Sequence, residues 1–191
     1  LGLTLAMVSE MLSLYPQAKW YLFVDDDTFV VPHQLYQVAM SMNSAEPTLA
    51  GRCFVYAHPR HGNLSFVNGG SGILASQALV RRVAPHVLDC RKRYDWHAYG
   101  DTRVASCSKH AFGGSEEYLY CRQPEFFNGL LEEAEPEVPL YPEMKAVTMH
   151  LKDPGLARAI FDSFAGAVTA GHDIRWKDVA SFLKTVGNHT E

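Results

Sequence analysis

The sequence predicts an α/β fold, a sheet flanked by helices, and three observations carry that prediction. An amphipathic helix over residues 1–14 leads into Trp20-Tyr21-Leu22-Phe23-Val24, an aromatic and branched run that reads as a buried strand. The run ends on three consecutive carboxylates, Asp25-Asp26-Asp27, and a second apolar run, Phe29 to Val31, follows them. Further on, Phe66-Val67-Asn68-Gly69-Gly70-Ser71-Gly72-Ile73-Leu74-Ala75 sets three glycines in four residues ahead of another helical run, the pattern of a strand-loop-helix turn. A helix, a strand and an acidic strand end make half a βαβ unit, and open α/β folds bind ligands at the carboxyl edge of such a sheet.

The elements follow in order. In residues 1–14 the positions Leu3, Met7, Val8, Met11 and Leu14 set an apolar stripe, and Tyr15-Pro16 ends the helix. After the acids, Pro32 starts a helix striped by Leu35, Val38, Ala39 and Met42. Residues 43–47 form a polar break, 49–56 read as a strand and 57–63 as a surface loop. Ser76 is placed to cap a helix over 76–87. Asp101 is placed to cap a helix over 102–109, where the helix dipole stabilises its charge. Residues 112–120 read as loop, 130–142 as an acidic, proline-spaced surface segment, and 145–151 as a short strand with His150 near its end. Two helices, 154–168 and 174–186, close the chain and present packing faces without chemistry.

Composition sets bounds on function. At 191 residues, with 47% hydrophobic and 20% charged residues, the chain is sized for one soluble globular domain. A net charge of −4, and no basic run longer than Arg91-Lys92-Arg93, argue against nucleic acid as a partner. No stretch reaches the roughly 20 apolar residues of a membrane span. The four cysteines fit no C-x₂-C zinc pattern, and their even number, with the sequons Asn63-Leu64-Ser65 and Asn188-His189-Thr190, points to an oxidising compartment with one or two disulfides. Three complete pairings are open. Because the chain starts at Leu1 and a helix, it is expected to be a C-terminal fragment whose opening strands lie upstream.

The acid triplet is the main chemical signal. Adjacent carboxylates repel and resist desolvation, so an ordinary turn would use at most one of them as a cap. Held at a strand end, the same oxygens suit a hard divalent cation that bridges to nucleotide phosphates. The glycine loop brings backbone close to a ligand, Asp101 is a candidate general base, and the large aromatics Trp96 and Tyr99 lie close to it in sequence. A lone histidine such as His150 is more often structural than a ligand.

Four blocks in this order, WYLFVDDDTFV, FVNGGSGILAS, YGDTRVASC and TMHLKDP, resemble the Fringe-like and core 1 β1,3-galactosyltransferase-like members of glycosyltransferase family 31. The segment FFNGLLEEAEPEVPLYPEMKAVTMHLKDP resembles the fungal and plant relatives in particular. The resemblance implies a GT-A fold over residues 1–191, with a Rossmann-like nucleotide-sugar half at 1–75, an acceptor half at 76–154 and C-terminal helices at 155–191. It implies a UDP-sugar donor held through Mn²⁺ or another divalent cation. Asp25-Asp26-Asp27 stands at the DxD motif, with Asp27 as direct metal ligand beside Asp25, and His150 completes the metal site. Asn68, Gly69 and Gly70 stand beside the donor sugar. Asp101 is the implied base, although Gly100 stands where the family usually has a second acid. The implied reaction is inverting transfer of a galactose-type or N-acetylglucosamine-type hexose to a glycan or glycoprotein, forming a β1,3 linkage in the Golgi or ER lumen, with any membrane anchor outside this chain. The alternative is a non-catalytic lumenal binding or chaperone-like relative, which would be expected to lose the acids or the base. A two-metal phosphohydrolase would need more carboxylates and histidines than this chain assembles.

Overall fold

A computed structural model describes residues 3–58, 62–97, 99–121, 126–128, 143–150 and 154–187. In chain order they form α1 (Leu3–Leu14), β1 (Trp20–Phe23), β2 (Thr28–Val30), α2 (Pro32–Met40), β3 (Leu49–Gly51), β4 (Cys53–His58), β5 (Gly62–Val67) and β6 (Ile73–Ser76). Next come α3 (Gln77–Val83), a 3₁₀ turn (Ala84–His86), α4 (Val87–Arg93), α5 (Gly100–Ala111), β7 (Leu119–Cys121), β8 (Phe126–Asn128), β9 (Thr148–His150), α6 (Pro154–Thr169) and α7 (Trp176–Gly187). The architecture is mixed α/β, and the chain divides into two compact units.

The first unit comprises Leu1–Phe23, Met42–Gly69 and Ile73–Arg122. Its sheet has the order β1-β6-β3-β7, in which β6 runs antiparallel to both β1 and β3 while β7 is parallel to β3. Leu5 and Val8 of α1, Tyr21 and Phe23 of β1, Ile73 of β6, Leu79 and Val83 of α3, and Val104 of α5 fill its core. The expected stripe of α1 holds at Met7, Val8 and Met11, which lie in or against the core on the face that packs on α3, α4 and α5. Leu5 joins it, and Leu14, at the last position, is exposed. Ser76 caps α3 as expected, its Oγ accepting from Leu79 N at 3.2 Å. The helix expected over 76–87 is broken instead. Pro85, with no N–H to donate, sits in the 3₁₀ turn between α3 and α4.

The strand expected over 49–56 is two strands. Gly51, at φ 152°, ends β3, and β4 turns away to form a separate hairpin with β5 in register Cys53↔Val67 through His58↔Gly62. Much of the loop expected over 57–63 is therefore paired backbone, and β7 lies where 112–120 reads as loop. Cys53 bonds to Cys121 and Cys90 to Cys107, so all four cysteines are paired and one of the three possible pairings is selected. The first bridge joins β4 to β7 and the second joins α4 to α5.

The second unit comprises Val24–Ser41, Gly70–Gly72 and Gln123–Glu191. Its sheet has the order β2-β9-β8, with β2 antiparallel and β8 parallel to β9. Phe29, Val31, Met149, Ile160, Ile174 and Trp176 form its core. Gln34 of α2 is 1% exposed, and its Nε2 donates to Ala146 O at 2.6 Å and Ile174 O at 3.0 Å while its Oε1 accepts from Ile174 N. One buried amide thus ties α2 to the segments leading into β9 and α7. No described helix is long and apolar enough to cross a membrane.

Candidate functional site

The register of β2 on β9 builds the first cluster. Thr28 pairs with His150 across the ladder, so the acidic turn that immediately precedes Thr28 lies beside the imidazole. The turn is closed by Thr28 N donating to Asp25 O at 3.2 Å. Asp25, Asp27 and His150 each offer a ligand atom, and these atoms lie within 4.8 Å of one another. His150 Nε2 approaches Asp27 Oδ1 at 3.2 Å without hydrogen-bond alignment, which leaves Oδ1 buried with no hydrogen-bond partner. A buried carboxylate oxygen in that condition is strongly disfavoured unless something else meets it. Two carboxylates and an imidazole make a donor set that fits a divalent cation such as Mn²⁺. Asp26 is exposed in the same turn and outside the cluster.

The glycine loop packs against the same strands. Thr28 Oγ1 donates to Gly70 O at 2.9 Å, and Thr148 Oγ1 donates to Ser71 O. The imidazole lies directly on Gly70: a Cβ there would stand 2.2 Å from His150 Nδ1. Only glycine leaves that space to the ring.

Asp101 belongs to the first unit. It lies inside the first turn of α5, with Tyr99 as the N-cap residue, so the expected capping position shifts by two residues. Its Oδ1 accepts from Thr102 N at 2.7 Å and its Oδ2 from Gly69 N at 3.0 Å. The carboxylate is thus oriented by two backbone donors at a positive helix end. Asn68 N donates to Arg52 O at 2.9 Å, which seats the start of the loop. The structure therefore brings Asp25, Asp27 and His150 together with Gly70, and separately brings Asp101 together with Gly69.

Sequence reasoning passes over Thr28 and Thr148, whose hydroxyls hold the loop carbonyls. Their signal is position, since each occupies the strand residue next to or two before a proposed ligand. Trp96 stacks on His97 with ring centroids 3.8 Å apart, and Tyr99 is exposed. Asn63 of the first sequon is exposed on β5, whereas Asn188 lies outside the described residues.

A family model described as Fringe-like matches residues 3–110. The chain belongs to the Fringe-like family. The match contains the acid triplet, the glycine loop and Asp101, while His150 lies beyond it. The resemblance to glycosyltransferase family 31 holds at family level. The chain is similar to chondroitin sulfate synthase 3 of Mus musculus, 30% identical over 105 residues that cover 51% of this chain and 12% of that protein. The Homo sapiens protein of the same name gives the same figures. Beta-1,3-glucosyltransferase of Mus musculus is 30% identical over 91 residues, 47% of this chain and 18% of that protein. The matched region is thus a small part of each relative.

Proposed function

We propose that this protein is a metal-dependent inverting glycosyltransferase that moves a galactose-type or N-acetylglucosamine-type hexose from a UDP-sugar to a glycan or glycoprotein, forming a β1,3 linkage. The observation that carries the reading is the Asp25, Asp27 and His150 cluster, with a buried Asp27 oxygen that accepts no hydrogen bond, in a chain of the Fringe-like family. The name of the glucosyltransferase relative supports the β1,3 linkage. Asp25, Asp27 and His150 would hold Mn²⁺ or a similar cation, which supplies charge neutralisation at the diphosphate leaving group. Asp26, Asn68, Gly69 and Gly70 would serve the donor, the glycines by leaving room for close approach.

Asp101 would accept the proton of the acceptor hydroxyl as that oxygen bonds to the anomeric carbon and the bond to UDP breaks. One displacement of this kind inverts configuration, and no nucleophilic serine or cysteine is required. Two disulfides fit an oxidising compartment, and the reading places the chain in the Golgi or ER lumen, with any anchor outside it.

Calorimetric titration of UDP into the full-length protein tests this, with Mn²⁺ and then with excess EDTA. Binding should appear only with the metal and should be lost in Asp27→Ala. Asp101→Asn should keep that binding and lower transfer by roughly 10²–10⁴-fold. Metal-independent UDP binding would remove the cluster from the mechanism. Binding without transfer to any acceptor in the unmutated protein would favour the non-catalytic relative.

A further inference from the structure

The first unit holds a cavity of about 540 Å³ that the reading above does not use. Its volume is that of a pocket for a small organic ligand. The walls are β4 and β5, the end of α4, the Trp96-His97 segment and the later turns of α5. Ser106, Lys109 and His110 line it from positions five to nine residues beyond Asp101, ~7–13 Å along the helix axis. The cavity is therefore displaced from the proposed base.

Aromatic rings dominate one side. Tyr56, Tyr94 and Trp96 all lie around His97, with ring centroids 6.1, 6.2 and 3.8 Å from it. His97 is itself 4% exposed, and its Nε2 lies 2.7 Å from Ser106 Oγ, which fixes the ring at the centre of the group. Trp96 and Tyr56 remain 38% and 37% exposed at the cavity. The remaining polar groups are those of hydroxyl recognition. Lys109 Nζ donates to Glu116 at 2.7 Å, Arg93 lies 3.3 Å from Asp89, and Asn63 is a neutral amide. Cations already paired with acids offer oriented N–H donors without a strong net field, which suits a polyol better than a free anion. Flat aromatic faces suit the C–H faces of a pyranose ring.

We infer that this cavity is a second saccharide site, one that takes a pyranose unit of a glycan away from the reacting hydroxyl. The inference rests on the proposed function only in its choice of ligand, and its test involves neither donor nor turnover. Saturation-transfer NMR on the full-length protein, with methyl pyranosides and with β1,3- and β1,4-linked disaccharides, N-acetylated and not, reads binding directly. At least one probe should receive saturation. Its affinity should fall about tenfold in Trp96→Ala. Tyr56→Ser, on the exposed face of β4, should act in the same direction, with the melting temperature of each variant as the check on folding. Asn63→Gln, which removes the sequon Asn63-Leu64-Ser65 and keeps an amide at the rim, tests whether a glycan attached to the chain fills the cavity. No transfer to any probe, or transfer that survives both aromatic substitutions, overturns the assignment. Binding that appears only in Asn63→Gln overturns it as well, since the occupant would then be a glycan attached to the chain itself.

Discussion

The two units hold their chemical groups in place by different means. The first contains all four cysteines and closes two bridges, one joining β4 to β7 and the other bracing α5, the helix that carries Asp101. The second has no cysteine and is tied by the buried amide of Gln34 and by threonine hydroxyls on loop carbonyls. The difference teaches where each unit is vulnerable. A disulfide braces the helix that carries Asp101, and none lies in the unit that carries the acid and histidine cluster.

The largest expected effect comes from cutting the bridges. Cys53–Cys121 spans 68 residues and Cys90–Cys107 spans 17, so loop-closure entropy assigns them about 4 and about 3 kcal/mol. Reduction should raise amide hydrogen exchange in β4, β7, α4 and α5 while sparing β2 and β9. Equal loosening of both sets would break the comparison and show that the units unfold as one.

A polar counterpart of that test lies in the second unit. Gln34→Leu keeps the volume but strips partners from Ala146 O and Ile174 N, two groups in the interior. The expected loss is roughly 2–4 kcal/mol, read as a shift of the urea midpoint. Exchange should now rise in β9 and at the start of α7, the inverse of the reduction experiment. A change below about 0.5 kcal/mol would mean that water takes over both partners and that apolar packing alone holds this unit.

Much of the local structure is legible in the sequence because its causes are local. The Trp20 to Phe23 strand, the Pro32 start of α2, the Ser76 cap and the two closing helices each rest on residues within a turn of one another. The interruptions are also local but outvoted by their surroundings. Pro85 stands inside an otherwise helical run, and Gly51 inside a hydrophobic one, and each breaks the element that its neighbours predict. What the sequence does not display is pairing at long range. Gln34 reads as a solvated helix position until residues 112 and 140 places away meet it. The β4 and β5 hairpin hides behind the polar stretch at 57–63, and nothing in the cysteine spacing selects Cys53 for Cys121. The candidate site divides in the same way. The acid triplet and glycine loop stand out as residue types, whereas the nearness of His150 to Asp27 depends on β2 pairing with a strand 120 residues further along in one particular register.

The smallest perturbation gives the sharpest contrast, because consecutive glycines belong to different units. A methyl group at Gly70 would stand 2.2 Å from His150 Nδ1 and 2.5 Å from Cε1, so the imidazole has to leave its place beside Asp27. A methyl group at Gly69 would meet Asp101 Cβ at 3.5 Å, an ordinary van der Waals contact. Gly70→Ala should therefore weaken Mn²⁺ binding by roughly 10–100-fold, the scale seen when a ligand's orientation is disturbed. Gly69→Ala should leave Mn²⁺ affinity within about twofold and change stability by no more than about 0.5 kcal/mol. Free Mn²⁺ measured by electron paramagnetic resonance, without UDP, reads both variants on one scale. Equal losses in the two would mean that the loop answers as a single rigid piece. A loss in Gly70→Ala alone would tie metal affinity to the place of one imidazole ring.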